Sequence, residues 1–307
     1  MSPHALVLTA GVGTRLQPLT FVRAKPAIPV AGEPMIRRII AWLVGQDVTE
    51  LVLNLHHLPH TLCAVVGDGH DLGARVRYSW EQPLVLGSAG GPRRALPIVG
   101  HDTFFIVNGD TITDLHLPGL AAAHRASGAL VTLALVPNRE PQRYGGVVTA
   151  GDGRITGFVP RGTSAEGSYH FIGVQMAHAD AFRALPDGQV VQSFDDVYVR
   201  LLTSHPGSIR GYVTDSAFQD VGTTGDYWAT SFALLGDDAP ERAYGRRVRI
   251  DATARVTLSI LWDDVDVGAG SVVEECIVTD GARIPAGSVH RRSVLRGGDQ
   301  GLLVTPR

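Results

Sequence analysis

The sequence predicts an α/β fold built on a mostly parallel sheet with helices on both faces, followed by a short C-terminal β-helix. Three observations carry this. Short apolar runs alternate with helix-length amphipathic stretches through the first 235 residues, a glycine-bearing turn follows the first run, and the C-terminus repeats itself every 17 residues. Strands that alternate with helices pair in parallel and are covered on both faces, and their ligands sit at the carboxyl ends of the strands.

In chain order, ALVLTA from Ala5, ELVLNLH from Glu50, RVRYSWE from Arg75, DTFFIVNGD from Asp102 and ALVTLALV from Ala129 read as strands. Pro34 to Val44, with Ile36, Ile39, Ile40 and Leu43 at helical spacing, reads as a helix opened by proline, and Leu117 to Arg125 as another. Asp195-Asp196 after Ser193 reads as a helix start, with charge at the positive dipole end. IDATARV begins at Ile250, VGAGSVV at Val267 and IPAGSVH at Ile284, while SILWDD, CIVTDG and SVLRGG begin at Ser259, Cys276 and Ser293. Two interleaved motifs locked in one register describe stacked coils, about three of them. The boundaries are a catalytic domain over 1–235, a linker over 236–247 and a β-helix over 248–307.

The chain has 307 residues, 44% of them hydrophobic, enough for a substantial core. With 27 Lys and Arg against 30 Asp and Glu, the formal charge of -3 argues against nucleic acid and against a membrane surface as partners. Two cysteines, Cys63 and Cys276, are too few for a disulfide framework and read as structural. The start MSPHALVLTAG lacks a signal-like pattern and no apolar run reaches the roughly 20 residues of a span, so a cytoplasmic enzyme is expected.

The chemistry starts in GVGTRLQPLTFVRAKPAIPV, Gly11 to Val30. Glycines flanking a small residue after a strand let backbone N–H groups approach a polyphosphate, and Thr14 adds a hydroxyl. Arg15 can fork onto phosphate oxygens, and Lys25, in a segment stiffened by Pro26 and Pro29, can return an ammonium to them. Leu16 stands where a third dinucleotide-type glycine would be, and no lysine follows the glycines as in a P-loop. Asp110, closing FFIVNGD, and Asp220, in FQDVGT, are strand-end carboxylates suited to Mg²⁺, which takes few carboxylates and keeps water and phosphate oxygens. His56, His57 and His60 read as a polar loop, because Pro59 breaks the helical spacing that would align them on a metal. Tyr227 and Trp228 read as the packing face of a helix.

Together, LTAGVGTRLQPLTFVRAKPAIPV (8–30), LGSAGG (86–91), VNGD (107–110), YGGVV (144–148), GRITGF (153–158) and QDVGTTGDY (219–227) resemble the sugar-1-phosphate nucleotidyltransferases, in that family's order and over nearly all of residues 4–235. The resemblance implies a Rossmann-like sheet, a left-handed β-helix and the conversion of NTP and sugar 1-phosphate to NDP-sugar and pyrophosphate with Mg²⁺. It implies nucleotide contacts at Ala10, Gly11, Gly13, Thr14, Arg15, Gln82, Gly87 and Ser88, with Gln82 and Gly87 at the base edge. It implies sugar-phosphate contacts at Tyr144, Gly145, Arg161 and Gly173, metal ligands Asp110 and Asp220, and catalytic roles for Arg15, Lys25 and Asp110. No side-chain nucleophile is required.

Two departures stand out. Phe158-Val159-Pro160-Arg161 puts Pro160 where many members carry an acid for sugar hydroxyls and Arg161 in place of a lysine. Arg23-Ala24-Lys25-Pro26 replaces a proline-lysine-proline run and loosens the approach of Lys25. The reading favours GTP with mannose 1-phosphate or a related hexose or heptose 1-phosphate. Uridylyl or thymidylyl transfer to glucose 1-phosphate and a silent regulatory subunit are the alternatives. The β-helix is expected to make a homo-oligomer contact.

Overall fold

The structure, a computed structural model, describes residues 3–236, 243–298 and 301–307. Positions 237–242 of the expected linker lie outside the described residues. The chain divides into two compact units, one of Met1–Gly11 with Arg37–Gln219 and one of Val12–Ile36 with Asp220–Arg307.

The first unit is built on β1 (His4–Leu8), β2 (Glu50–Leu55), β3 (Arg75–Trp80), β4 (Thr103–Asn108), β5 (Thr111–Thr113), β6 (Val131–Pro137), β7 (Gly146–Thr149), β8 (Ile155–Val159), β9 (Tyr169–His178), β10 (Ile209–Val213) and β11 (Phe218–Asp220). The main sheet runs β8-β7-β9-β4-β1-β2-β3, with β6 paired to β9 and β10, while β5 pairs with β11. β1 is parallel to β2 on one side and β4 on the other, with Leu6 opposite both Val52 and Ile106. β9 runs antiparallel to β4 and β6. All five sequence-read strands are therefore present. The central ones are largely apolar because both sheet faces are covered there: Leu6, Val52, Phe104, Ile106, Leu133 and Leu135 lie in one buried core, whereas β3 at the sheet edge carries exposed Arg75 and half-buried Arg77.

The helices are α1 (Met35–Val44), α2 (Pro59–Val66), α3 (Gly87–Val99), α4 (Leu117–Ser127), α5 (Asp180–Arg183), α6 (Val199–Ser204) and α7 (Thr224–Leu235). α1 buries Ile36, Ile39, Ile40 and Leu43 as its spacing requires, and Pro34 stands one residue before it. Pro59 does not break a helix but opens α2, since the first helical position has no use for an N–H donor. His60 therefore lies on α2 while His56 and His57 precede it. Ser193–Tyr198 forms a wide helical turn leading into α6, and the Asp196 carboxylate accepts from the Gln192 amide at 2.7 Å.

In the second unit, the 17-residue period becomes three parallel ladders. One stacks Arg249–Ile250, Asp266–Val267 and Arg283–Ile284; the next stacks Arg255–Thr257, Val272–Glu274 and Val289–Arg291; the third stacks Ile260–Leu261, Ile277–Val278 and Ser293–Gly298. These are the stacked coils expected from the pattern, and they form the left-handed β-helix that the resemblance implies. In-register pairing puts like residue on like, so Leu261, Val278 and Leu295 form one column of the buried core. The same register pairs charges outside, Arg247 with Asp264, Arg249 with Asp266 and Arg292 with Glu275. Gly301–Pro306 pairs antiparallel with the last coil and covers that sheet's edge.

The core column sets the stability of the coils, because the charged rows are exposed and each such pair contributes little. Leu295→Ala should cost about 2–5 kcal/mol, read as a drop in the urea midpoint, whereas Arg247→Ala should change it by under about 1 kcal/mol.

Candidate active site

Parallel pairing of β2, β1 and β4 sends their following loops out of one sheet edge. Asn108 of β4 is opposite Leu8, and the Gly109 amide donates to the Leu8 carbonyl at 2.9 Å, which fixes the Gly109-Asp110 turn beside the segment Thr9–Gly11. Asn54, at the end of β2, accepts from the Thr9 and Ala10 amides through Oδ1 and donates from Nδ2 to Glu81 at 2.7 Å. Glu81 is fully buried, and its other oxygen accepts from the Leu86 amide at 2.7 Å. His56 donates from Nδ1 to the Glu81 carbonyl at 2.8 Å, which makes it a loop brace. Sequence reasoning missed Thr9, Asn54 and Glu81; the available signal was three polar residues at the ends of strands that are otherwise buried.

This buried chain of bonds shapes the loop that carries Gln82 and Gly87. Gln82 is exposed. Gly87 has φ 79°, and a Cβ there would meet the Val191 carbonyl oxygen at 2.6 Å, so its backbone lies tight against its own chain. The Ser88 hydroxyl donates to the Gln192 side chain and accepts from the Ser193 amide at 2.8 Å, bracing the start of α3.

Gly173, with φ 79° in an irregular stretch of β9, lies against the Asp110 turn: a Cβ would stand 2.7 Å from Thr111 Oγ1 and 3.1 Å from Asn108. Pairing of Val159 with Gly146 brings Tyr144, Gly145 and Arg161 together, with the Arg161 amide 3.9 Å from a Cβ placed on Gly145. Arg161 is exposed, and the Gly162 amide beside it is held by the Pro141 carbonyl at 2.7 Å. Tyr144 stacks on His170 at 4.1 Å, and both rings lie near Phe218, at the wall of a cavity of about 340 Å³. Burial pushes the His170 imidazole down to about 4, against a hydrogen bond at the Gly145 backbone that favours the charged form; Arg143 lowers it further.

The second unit holds the rest of the set. Gly13 has φ 66° and opens a 3₁₀ turn over Thr14–Leu16; a Cβ on it would meet Thr20 at 2.8 Å and Lys25 at 3.3 Å. Thr14 and Arg15 are exposed, while Lys25, starting its own 3₁₀ turn, is only 9% exposed. A Cβ on Gly222 would stand 3.1 Å from an Arg15 guanidinium nitrogen and 3.3 Å from carboxylate oxygens of Asp220 and Asp226. Arg15, Asp220 and Asp226 thus gather around one glycine. Asp226 also closes a capping box on α7 with Thr223, a role readable in Thr-Thr-Gly-Asp but not assigned from the sequence. Tyr227 is buried and Trp228 donates to the Leu258 carbonyl at 2.9 Å, so both pack as expected.

Asp110 in the first unit and Asp220 in the second are each half-buried residues, and a carboxylate is the hard oxygen donor that suits Mg²⁺. Among the described residues no three His, Cys, Asp or Glu side chains form a cage. No helix among the described residues is long and apolar enough to cross a membrane.

The fold is a mixed α/β sheet joined to hexapeptide-type coils, and comparison with known proteins agrees. Residues 4–236 match the nucleotidyl transferase family and residues 239–290 the GlmU-like C-terminal hexapeptide family. The chain belongs to the nucleotidyl transferase family. It is 29% identical to a mannose-1-phosphate guanylyltransferase of Mycobacterium tuberculosis, over 94% of this chain and 83% of that one. It is 27% identical to a UTP–glucose-1-phosphate uridylyltransferase of Synechocystis, over 86% of this chain and 71% of that one. At 27% it also resembles a D-glycero-α-D-manno-heptose 1-phosphate guanylyltransferase of Aneurinibacillus thermoaerophilus, over 73% of this chain and 95% of that one. The structure of HddC from Yersinia pseudotuberculosis, solved with GMP-PN, shares the fold with a TM-score of 0.66 at 21% identity, over 76% of this chain and 99% of that one.

His170 gives a pH signature. Its folded pKa of about 4 lies below the ordinary 6.5, so the unfolded chain takes up the proton first. Its contribution to stability is complete above pH 6.5 and is lost as pH falls from 6.5 to 4, by at most about 1.4 kcal/mol per pH unit. Urea midpoints measured across that window should fall less steeply for His170→Gln than for the wild type.

Proposed function

We propose that the protein is a Mg²⁺-dependent sugar-1-phosphate nucleotidyltransferase that uses GTP and mannose 1-phosphate or a related hexose or heptose 1-phosphate. The observation that carries this is the turn after β1. Gly13 is required by its own chain, through φ and packing, but Gly11 is not: its φ is ordinary and a Cβ would meet nothing within 4 Å. A glycine that the fold does not need, next to exposed Thr14 and Arg15, is explained by close approach of a polyphosphate to the backbone. The choice of GTP and mannose follows the name of the Mycobacterium tuberculosis relative, which aligns over 94% of this chain and 83% of that one.

In this reading an oxygen of the sugar phosphate attacks the α-phosphorus of the NTP, a new P–O bond forms, and the bond to the bridging oxygen breaks to release pyrophosphate. Arg15 grips the departing phosphates and Lys25 bridges the reacting ones. Arg161, in the lysine's place, holds the sugar phosphate through its planar fork beside Tyr144 and Gly145. Gly173 leaves room at the Asp110 turn, and Gln82 and Gly87 face the base. Asp110 and Asp220 would hold the Mg²⁺, which when bound would neutralise the growing phosphate charge. The chain's own contribution is alignment and fixed charge, as in phosphoryl transfer generally. Exposed Leu258, Val289, Leu303 and Val304 on the coils support a homo-oligomer, which sedimentation would reveal.

Pyrophosphate release from GTP, UTP, dTTP, CTP and ATP, each with a panel of sugar 1-phosphates, tests the reaction. GTP with a manno-configured sugar phosphate should give the highest kcat/KM; release only with UTP and glucose 1-phosphate would replace the substrate assignment. Nucleotide binding with no release from any pair would favour a silent subunit, the reading that Pro160 supports. Asp110→Asn should lower kcat at least about 100-fold with an unchanged unfolding midpoint. Gly11→Ala should raise KM for the NTP without loss of stability, and Arg161→Ala should raise KM for the sugar phosphate about 10-fold while leaving that for the NTP alone.

A further inference from the structure

Arg23 adjoins Ala24, the residue that stands in place of the first proline of the proline-lysine-proline run, and the structure gives Arg23 a specific task. Its Nε and Nη2 donate to the two oxygens of Asp280 at 2.7 Å each, and Nη2 reaches Asp263 at 3.1 Å. Asp263 and Asp280 occupy the same place on successive coils, 17 residues apart, and the Asp263 amide donates to Asp280 at 3.0 Å. The guanidinium lies 5.3 Å over the ring of Trp262, which is fully buried. The Trp262 indole donates to the Tyr227 hydroxyl at 2.9 Å, and that hydroxyl donates to the Pro29 carbonyl at 2.6 Å. The segment Arg23–Pro29 is therefore tied at both ends, to the coils at Arg23 and through Tyr227 and Trp262 at Pro29.

Lys25 lies between the two ties. Ala24 holds φ -54° and ψ 142°, the conformation a proline would impose, with 1% exposure. Alanine does not lock that φ by itself. A bidentate, mostly desolvated ion pair at the adjacent residue supplies the missing restraint from tertiary structure.

We propose that Arg23 is a positioning residue: clamped on Asp263 and Asp280 of the β-helix, it fixes the Ala24–Lys25–Pro26 turn and thereby aims the Lys25 ammonium, so that the coils are part of the catalytic apparatus. This rests on the reading of Lys25 as the phosphate-bridging group. The chain offers an unusual handle, because 26 of its 27 basic residues are arginine and Lys25 is its only lysine. Reductive methylation of an ε-amine reports on that one residue.

The test uses the full-length protein with Arg23→Ala, Arg23→Lys and Asp280→Asn, each also combined with Lys25→Ala, assayed below the unfolding midpoint. Arg23→Ala should lower kcat about 10- to 100-fold with little change in KM for the sugar phosphate, and should speed methylation of Lys25 about tenfold. Arg23→Lys should recover part of both, and Asp280→Asn should lower kcat in the same direction even if Arg23→Ala folds poorly. In the Lys25→Ala background, Arg23→Ala should cause no further loss, because a residue that acts through Lys25 has nothing left to position. An equal fractional loss in both backgrounds, or kcat and methylation within twofold of wild type, would overturn the proposal. A fully active Lys25→Ala enzyme would instead sink the role of Lys25 and with it the catalytic consequence of Arg23, while a methylation rate that still depended on Arg23 would uphold the clamp itself.

Discussion

The first unit depends on the parallel pairing of β1 with a neighbour on each side. Parallel strands share a direction, so the loops that follow β1, β2, β3 and β4 must all leave one edge of the sheet. That single constraint collects Thr9–Gly11, Asn54, Glu81 and the Asp110 turn from positions up to a hundred residues apart. The edge would carry unsatisfied backbone donors if nothing met them. Asn54 and Glu81 meet them: one amide oxygen serves two N–H groups of the β1 loop, and one carboxylate serves the amide of Leu86. The polar residues that seem out of place in buried strands are the ones that shape the loops.

A second constraint, the 17-residue register, organises the other unit. It repeats apolar positions inward and charged positions outward, and most outward pairs are exposed enough to matter little for stability. The Asp263 and Asp280 column differs because its side chains are 15% and 28% exposed and share an arginine that is itself mostly covered. A buried guanidinium requires full pairing, and two carboxylates one coil apart provide it. The regular repeat thereby becomes a docking surface for an irregular loop.

What was legible in the sequence was whatever is encoded by local period. The five strands, α1, α4 and the coils all follow from spacing alone, and the stacking of about three coils follows from two motifs that keep one register, while the third ladder of each coil was not read. Pro59 was misread because proline has opposite meanings inside a helix and at its first position, and only the chain direction at the end of β2 decides between them. The Arg23 clamp was not legible because its partner stands 257 residues away. Ala24 read as a loosened version of a proline, since sequence shows the lost ring but not the contact that restrains the same backbone angle. The bracing role of Ser88 was hidden for the same reason, its partners being Gln192 and Ser193. The pattern over QDVGTTGDY did contain the capping box, so Asp226 was legible too, as were the polar residues Thr9, Asn54 and Glu81 at the ends of buried strands.

The choice of lysine at position 25 carries its own argument. Everywhere else this chain places a cation it uses arginine, including all of the charged rows on the coils and the clamp two residues earlier. Arginine's planar fork suits paired carboxylates, where two parallel hydrogen bonds are available. Lys25 is in a different setting. It is nearly buried, at the start of a tight 3₁₀ turn, with its Cβ and Cδ 3.3 and 3.7 Å from where a side chain on Gly13 would begin. Space there favours a slim stem, and an ammonium is a compact charge with donors that rotate, whereas a guanidinium has one plane to satisfy. A phosphate whose geometry changes as one bond forms and another breaks is better followed by such a charge than by a fixed fork. A composition that has otherwise given lysine up, keeping it at one covered position beside the glycine turn, is what that physical requirement predicts.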